Sequence, residues 1–302
     1  MSEIKPFFFD PAIPRKSGHV SKAFSVSTAG VPLPSVVELS ESGTCNRKCA
    51  FCPRSAPDYQ DIKEFIDPGL VEKLSRQLGE VGFRGIFLFS GFVEPLLDKN
   101  IFDLVAIARR NIPDGRVEMV TNGDALNDAR LKKLFESGLN TLLISVYDSK
   151  EDADRLQALC EASGLRPDQF VIRHRYLPQD QSFGITLTNR AGMMSNAEYP
   201  ISELGEPLRH PCYYPHYTFF MDYQGDVLLC PHDWGKKLIA GNMTKQDFWE
   251  IWTSPVMLET RARLTRGDRK FAPCDKCDVK GTFMGRQHAQ AWAALKTATA
   301  KD

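Results

Sequence analysis

The sequence has little that would direct the chain to a membrane or to nucleic acid. Lys and Arg number 38, as do Asp and Glu, so no excess of basic charge indicates a nucleic-acid partner. No run of 18 apolar residues is present, which predicts no transmembrane helix. The start, MSEIKPFFFDPAIPRK, lacks the long apolar region and small-residue cleavage site of a signal peptide. These absences predict a cytoplasmic protein with neither nucleic-acid nor membrane partners.

Cysteine, in contrast, is present in number and is clustered. The chain has eight, and seven of them fall into two groups, one near each end. Because the cytosol keeps thiols reduced, clustered cysteines in a chain without an export signal indicate metal or catalytic ligands more than disulfides. The first group is Cys45, Cys49 and Cys52, in the stretch CNRKCAFC, and the second is Cys212, Cys230, Cys274 and Cys277.

Strand-like and helix-like segments alternate between residues 35 and 178. Apolar, β-rich runs cover residues 35–42, 85–90, 116–123, 141–148 and 169–178, with helical patterns between them. This alternation predicts a parallel sheet with right-handed crossovers, either doubly wound or curled toward a barrel. Functional loops of such sheets lie at the carboxyl ends of the strands, where the first cysteine group, SGFVEP, TNGD and SVYD all occur.

The alternation stops near residue 180. A hairpin is predicted over residues 217–230 with its turn at YQGD, followed by a helix near QDFWEIWTSP. We therefore predict an irregular N-terminal extension over residues 1–30 and a barrel-like domain over 31–185. A linker and a second domain follow over 186–290, and a C-terminal tail, helix-like but flexible, over 291–302.

Three thiolates at C-x3-C-x2-C spacing on one loop can converge on one metal centre. A closed zinc site needs four ligands, and the next histidine after this loop is His174, so zinc would require a distant residue. A [4Fe–4S] cluster held by three thiolates leaves one iron open to another ligand, which suits catalysis.

This cysteine motif, with Phe51 before its last cysteine, resembles that of the radical S-adenosylmethionine (SAM) superfamily. The resemblance covers residues 35–178, where SGFVEP (90–95) is similar to the family's GGEP segment and residues 121–123 to its TNG. It implies a partial (β/α)6 barrel whose [4Fe–4S] cluster cleaves SAM to a 5′-deoxyadenosyl radical. The residues that the resemblance assigns to SAM are Phe51, Gly91, Glu94, Asn122, Ser145 and Arg173.

The resemblance implies a role for each polar member of that set. Glu94 would bind the SAM ammonium, Ser145 its ribose or carboxylate, and Arg173 its carboxylate. Phe92 departs from the pattern, because it replaces the second glycine of GGEP. Taken one at a time, these residues also fit structural roles in turns, caps or surface charge.

The second cysteine group suits either a zinc ribbon or a fully ligated [4Fe–4S] cluster. Beside the first group, it resembles the SPASM/Twitch extension of radical SAM enzymes. A full SPASM domain has further cysteines after Cys277, but Phe283 stands where the next would be and none follows. The resemblance therefore implies the shorter Twitch domain, with one auxiliary cluster that either accepts an electron or only supports the fold.

The implied reaction is oxidation of a small polar substrate, an alcohol on a sugar or aminocyclitol. Arg190, between the two domains, either binds substrate or bridges the domains. His232, just after Cys230, either accepts the alcohol proton or bonds to the cluster sulfurs. A flavodoxin- or ferredoxin-type protein is the implied electron donor.

Other outcomes stay open in the sequence: radical epimerisation, peptide modification, or a non-catalytic zinc scaffold. Epimerisation would need a hydrogen donor such as Cys160, the one isolated cysteine. Leu156 lies one helical turn before Cys160, and this spacing predicts a buried thiol on the outside of the barrel.

Overall fold

A sheet of eight strands forms the centre of the described fold. The structure, a computed structural model, describes residue 10 and residues 12–299, with side chains up to residue 295. The strands of this sheet are β1 (Val36–Ser40), β4 (Ile86–Phe89), β5 (Arg116–Thr121), β6 (Thr141–Val146), β7 (Phe170–His174), β8 (Thr218–Asp222), β9 (Asp226–Leu228) and β10 (Ile239–Asn242). Two further strands, β2 (Ser42–Gly43) and β3 (Ile62–Phe65), pair with each other.

Helices connect the strands and cover one face of the sheet. Those of the first half begin at the residue types that cap helices: the side chains of Asp67, Asn127 and Ser149 each accept a hydrogen bond from a backbone N–H of the first turn. The helices are α1 (Ala12–Lys22), α2 (Pro68–Glu80), α3 (Ile101–Asn111), α4 (Asp128–Glu136), α5 (Lys150–Ala162), α6 (Tyr214–Tyr217), α7 (Phe248–Trp252), α8 (Pro255–Thr265) and α9 (Arg286–Thr299).

The predicted parallel sheet is confirmed, with a difference in how it is completed. The order β1-β4-β5-β6-β7 is parallel throughout, and α2 to α5 make the crossovers. Within the described residues these are five strands rather than six β/α units, because residues 179–213 contribute no strand. The sixth parallel strand is β8, which pairs with the other edge of β1. A strand from the C-terminal half thereby covers an edge that would otherwise be exposed.

The two faces of the sheet differ in what they bury. On β1, Val37 and Leu39 belong to the main hydrophobic core. Val36 points to the opposite face, where it packs with Val20 and Tyr217. Because side chains alternate along a strand, Glu38 and Ser40 share the face of Val36. This second face, which we call the lumen face, holds the polar residues of the barrel interior.

The N-terminal extension is not irregular, which corrects the prediction for residues 1–30 in its described part. Helix α1 begins after Asp10, whose Oδ1 accepts from the N–H of Ala12 at 2.9 Å. Arg15 then donates to both carboxylate oxygens of Glu118 on β5, at 2.9 and 2.6 Å. These contacts join residues 103 positions apart, and no local pattern of the sequence announces them.

The C-terminal half contains the predicted hairpin and helix. Strands β8 and β9 are antiparallel, and the turn between them carries Gly225 at φ 81°. Helix α7 starts with a capping box of Asp247 and Glu250. The tail prediction needs correction within the described residues: α9 runs to Thr299, and Trp292 is buried, donating from Nε1 to the carbonyl of His216 at 3.2 Å.

Cys160 is fully buried on α5 within the main core, as its helical spacing predicts. Burial raises the pKa of this thiol to about 11. No helix in the described part of the chain has the length and apolar character needed to cross a membrane.

Replacing Arg15 with Met tests how α1 is held. Burial by itself would raise the pKa of Glu118, but hydrogen bonds and charge from Arg15 and Arg116 keep it below its ordinary value. We expect Arg15→Met to lower the free energy of unfolding by roughly 1–3 kcal/mol at pH 7, because Glu118 stays buried with Arg116 as its remaining partner. Urea unfolding followed by circular dichroism measures this, and an unchanged midpoint would show that the pair does not hold the helix.

Candidate active site

The three cysteines of the first group lie together on the loop that follows β1 and β2. The N–H of Cys52 donates to the carbonyl of Cys49 at 2.9 Å, and the N–H of Arg47 donates to Sγ of Cys45 at 3.4 Å. Burial, followed by the neighbouring Cys52 and Cys45, raises the pKa of Cys49 to about 12. Three thiols in this environment become thiolates only beside a cationic centre, so the donor set fits a metal cluster.

A single metal ion and an iron–sulfur cluster require different spacings of three thiolates. Zinc, with Zn–S bonds of about 2.3 Å, would draw its thiolates to within roughly 4 Å of one another. A [4Fe–4S] cluster binds each thiolate on a different iron, so its ligands stand further apart.

Arg47 fastens the cysteine loop to the loops that follow β5 and β6. Its guanidinium donates to both oxygens of Asp124, at 2.7 and 2.5 Å, and to both oxygens of Asp148, at 2.7 and 2.6 Å. Asn46 adds bonds to Asp124 and to Asn122. Sequence analysis missed Arg47; the only signal was a basic residue inside the cysteine loop with Asp at two later strand ends.

A cleft of about 750 Å³, open to solvent, lies above the carboxyl ends of the strands. The three cysteines line it, as do five predicted site residues: Phe51, Gly91, Glu94, Asn122 and Arg190. Its wall also contains Phe92 and residues that were not predicted, chiefly Arg54, Tyr147, Ile185 and Trp234.

Glu94 is a buried carboxylate held by neighbouring donors. It accepts from Oγ1 of Thr121 at 2.6 Å, from the N–H of Asn122 at 2.6 Å and from the N–H of Leu96 at 3.0 Å. Burial raises the pKa of Glu94, and these hydrogen bonds oppose the shift. The TNG segment therefore positions Glu94, a link that the two separate motifs did not reveal.

Phe92 replaces a glycine of the GGEP pattern, and its backbone N–H and carbonyl both make hydrogen bonds. Its N–H donates to Oγ of Ser40 at 3.1 Å, and its carbonyl accepts from Nη1 of Arg54 at 3.0 Å. Its ring packs on Trp234, with centroids 4.4 Å apart. The substitution therefore adds an aromatic wall to the cleft.

Ser145 and Arg173 face each other but do not line the cleft. They are register partners on β6 and β7, with Nη1 of Arg173 3.4 Å from Oγ of Ser145. Arg173 also pairs with Asp10 at 3.1 Å, and Asp10 pairs with Arg175. In the described residues, the carboxylate beside Arg173 is therefore that of Asp10.

Arg190 lines the cleft and contacts His232, which is buried and does not line the cleft itself. Nη1 of Arg190 lies 3.5 Å from Nδ1 of His232, and its guanidinium is 5.9 Å from the ring of Trp234. Burial, followed by the charges of Arg190 and Lys16, lowers the pKa of His232 well below its ordinary value. The imidazole is therefore neutral, and its Nδ1 can accept the hydrogen bond from Arg190.

The position of Arg190 is set by its neighbour Asn189. The N–H of Asn189 donates to Asp278 at 3.0 Å, and its side chain bonds to the carbonyl of Lys276 at 2.7 Å. Arg190 itself has φ 48°, a left-handed conformation that a non-glycine residue adopts only when its surroundings require it. The segment that carries Arg190 is thus tied to the residues flanking Cys277.

The second cysteine group consists of three buried residues, Cys212, Cys274 and Cys277, and the half-buried Cys230. Burial, followed by Cys274, Cys277 and Cys212, raises the pKa of Cys230 well above its ordinary value. Arg269 lies among them and donates to the carbonyls of Val279 and Lys280, each at 2.7 Å. Four such thiols fit a fully ligated cluster, whereas the exposed Phe283 lies outside the set.

The comparisons with known proteins identify the class. Residues 41–178 match the radical SAM superfamily, and residues 212–278 match SPASM, an iron–sulfur cluster-binding domain. The two matches span about two thirds of the chain, which therefore carries a radical SAM domain and a C-terminal domain of the SPASM/Twitch kind. These domains bind SAM and [4Fe–4S] clusters.

Among individual proteins, the chain is similar to the S-adenosyl-L-methionine-dependent 2-deoxy-scyllo-inosamine dehydrogenase of Niallia circulans. The two are 28% identical over 245 residues, which are 81% of this chain and 92% of the relative. A crystal structure of BtrN in complex with AdoMet and 2-DOIA matches with a TM-score of 0.70 and 27% identity, over 86% of this chain and 98% of that one.

Two further matches support less, one because it covers only part of each chain and the other because its sequence identity is low. A GTP 3′,8-cyclase of Parasynechococcus marenigrum is 29% identical over 119 residues, which are only 37% of this chain and 33% of the relative. The structure of native anSMEcpe with bound AdoMet shares 12% identity over 88% of this chain and 99% of that one, with a TM-score of 0.53, and shows the fold alone.

Glu94→Gln tests whether this carboxylate binds the cofactor. We expect the variant to keep its iron and to bind SAM about 10- to 100-fold more weakly, because a neutral amide cannot pair with the ammonium. Anaerobic equilibrium dialysis with labelled SAM measures the affinity. Glu80→Gln, on the exposed surface of α2, is the matched control; equal affinities in the two variants would remove Glu94 from the SAM site.

Proposed function

We propose that this chain oxidises an alcohol group on a sugar or aminocyclitol by radical SAM chemistry. The observation that carries the proposal is the contact between Arg190, which lines the same cleft as the first cysteine group, and His232, which follows Cys230 of the second group by two residues. Likeness to a 2-deoxy-scyllo-inosamine dehydrogenase over most of both chains supports the substrate class.

The two cysteine groups would hold the two clusters. We assign the SAM-binding [4Fe–4S] cluster to Cys45, Cys49 and Cys52, because three ligands leave one iron open. Cys212, Cys230, Cys274 and Cys277 would hold the auxiliary [4Fe–4S] cluster. Bound at the first site, SAM is cleaved reductively to a 5′-deoxyadenosyl radical that removes a hydrogen atom from the substrate.

Residues of the cleft would hold SAM in place. Glu94 offers its carboxylate to the ammonium, with Thr121 and Asn122 orienting it. Phe51 and Gly91 line the same cleft, and Gly91 at φ 112° lets the backbone pass close to the ligand. Ser145 and Arg173 remain candidates for the ribose and carboxylate, and Arg173 would then exchange Asp10 for SAM.

Arg190 and His232 would act on the substrate. The guanidinium can donate to the hydroxyl that is oxidised, and the neutral imidazole can accept its proton. Oxidation of an alcohol to a ketone removes two protons and two electrons: one hydrogen atom (a proton with its electron) would go to the radical, one proton to the base, and one electron remains. Cys230 of the second cysteine group lies two residues before His232, so an auxiliary cluster held there would supply an acceptor for that electron.

The first experiment is anaerobic reconstitution with iron and sulfide, followed by metal analysis and electron paramagnetic resonance of the reduced protein with and without SAM. We expect about eight iron atoms per chain and a signal that changes with SAM, because two clusters bind and one has an open iron. If the protein bound zinc and no iron, the proposed function would be wrong and the chain would be a non-catalytic zinc scaffold.

Removing ligands should separate the two sites. Cys49→Ala should keep about four irons and lose all SAM cleavage, because only the auxiliary cluster remains. The pair Cys274→Ala and Cys277→Ala should also keep about four irons, with the SAM-dependent signal intact. Cys160→Ser, in the core of α5, is the control for loss of a thiol elsewhere; full iron in either ligand variant would contradict the assignment.

Arg190→Gln and His232→Asn address the oxidation itself. With 2-deoxy-scyllo-inosamine as probe, we expect wild-type protein to form 5′-deoxyadenosine and a ketone in equal amounts. Each variant should form ketone about 10²- to 10⁴-fold more slowly, as is usual when a general base or its partner is removed. Mass spectrometry of both products makes the measurement, and wild-type rates in both variants would exclude them from the reaction.

We further propose a cytoplasmic location, an electron donor of the flavodoxin or ferredoxin type, and domain bounds of 31–185 and 186–290. Free thiols and reducible clusters support the location. The parallel sheet from β1 to β7 supports the first bound.

A further inference from the structure

Helix α1 lies outside both family matches and presents two consecutive basic residues to the lumen face of the sheet. Arg15 reaches Glu118 on β5, and Lys16 reaches Glu38 on β1. Both carboxylates are buried. They belong to one row of the sheet, because Leu88 on β4 is the register partner of each.

The two carboxylates differ in the number of hydrogen bonds that they accept. Glu118 accepts two hydrogen bonds from Arg15 and one from Arg116, all between 2.6 and 2.9 Å. Glu38 has only the ammonium of Lys16 at 3.8 Å, and among the described residues neither group makes a hydrogen bond with any other. Glu118 is therefore a structural anchor for α1, whereas Glu38 and Lys16 have bonding capacity left.

Glu38, which can accept further hydrogen bonds, lies beneath the cleft. On the lumen face of β1, Val36 packs against Val20 of α1, and Ser40 accepts from the N–H of Phe92 in the cleft wall. Glu38 lies midway between them, about 7 Å along the strand from either.

Side-chain packing connects the elements that carry Lys16 and Glu38 with the predicted substrate residues. Arg190 contacts His232, and the ring of Tyr214 lies 5.0 Å from that of His232. Tyr214 packs in turn against the cluster that Val20 of α1 and Val36 of β1 form on the lumen face.

We propose that Lys16 of helix α1 and Glu38 of β1 form a substrate-recognition pair at the base of the lumen, binding two adjacent hydroxyl groups of a polyol ring. The proposal rests on the proposed function and adds to it the residues that select the substrate. The ammonium donates to one hydroxyl oxygen, and the carboxylate accepts from the next hydroxyl.

The chemistry of the pair supports this occupant. The Glu38 side chain keeps 9% of its surface exposed and makes no hydrogen bond to the described residues, so a hydroxyl donor can replace its solvent contact. At 3.8 Å the two charges are too far apart to hydrogen-bond to each other but close enough to address neighbouring atoms of one ring. Because the pair is neutral in sum, it suits an uncharged diol better than a lone charge would.

The test uses the reconstituted protein with both clusters and SAM, and two probes, scyllo-inositol and 2-deoxy-scyllo-inosamine. Anaerobic calorimetry gives the dissociation constant of each probe for wild type, Lys16→Met and Glu38→Gln. We expect each variant to bind about 10- to 100-fold more weakly, the range for a lost hydrogen bond to a charged group. The KM for oxidation should rise by a similar factor while kcat changes little.

Lys22→Met is the matched control, because Lys22 is an exposed residue at the end of the same helix. It should bind both probes as wild type does. Iron content and thermal midpoint report on folding: a merely structural role for the pair would lower the midpoint of Lys16→Met and leave the affinity of the remaining folded protein unchanged.

Two results would overturn the inference in distinguishable ways. If wild type oxidises a probe and both variants bind it equally well, the recognition pair is excluded and the proposed function stands. If wild type cleaves SAM reductively but binds neither polyol, the recognition pair and the substrate class fail together, while the assignment to the radical SAM superfamily remains.

Discussion

Hydrogen bonding along both edges of β1 is the constraint on which the rest of this structure depends. Strand β4 pairs with one edge and β8 with the other, both parallel and both in register with Val36 to Leu39. Side chains of β1 are buried on both faces, so a shift of one residue would turn Glu38 into the core and Val37 into the lumen. The first cysteine group follows β1, and Cys230 follows the hairpin that β8 begins. One strand thereby fixes where both groups lie.

The segment between the two matched domains is also held in place by hydrogen bonds. Asn189 exchanges hydrogen bonds with Asp278, and this tie brings Arg190 to His232 in spite of its left-handed backbone. Such a conformation costs about 1–3 kcal/mol and persists only where neighbouring contacts impose it. A guanidinium therefore lies where the cleft meets the second cysteine group, although the backbone conformation there would favour glycine.

Three buried carboxylates show that the interaction partners of a charged side chain, more than its burial, determine its role. Glu118 is paired with arginines and holds a helix, and Glu94 is oriented by Thr121 and Asn122 beneath the cleft. Glu38 has a single ammonium at 3.8 Å. All three sit on or beside the lumen of one sheet, so their different environments arise from the elements that pack against each strand.

The sequence by itself determined the class of this protein. Cysteine spacing, the alternation of strands and helices, and the turn at Gly225 are local patterns, and each is readable because the residues that cooperate lie within a few positions of one another. The order of motifs along the chain adds that they meet at one edge of a parallel sheet.

Only the tertiary structure decided the rest. Helix α1, the clamp made by Arg47, the contact of Arg190 with His232 and the pair of Lys16 with Glu38 join residues from 22 to more than 100 positions apart. Their partners are chosen by strand order and register, which local periodicity does not encode, and the extra strand β8 shows how much that order changes the site. Chemistry that rests on neighbours in sequence was predictable, and chemistry that rests on neighbours in space was not.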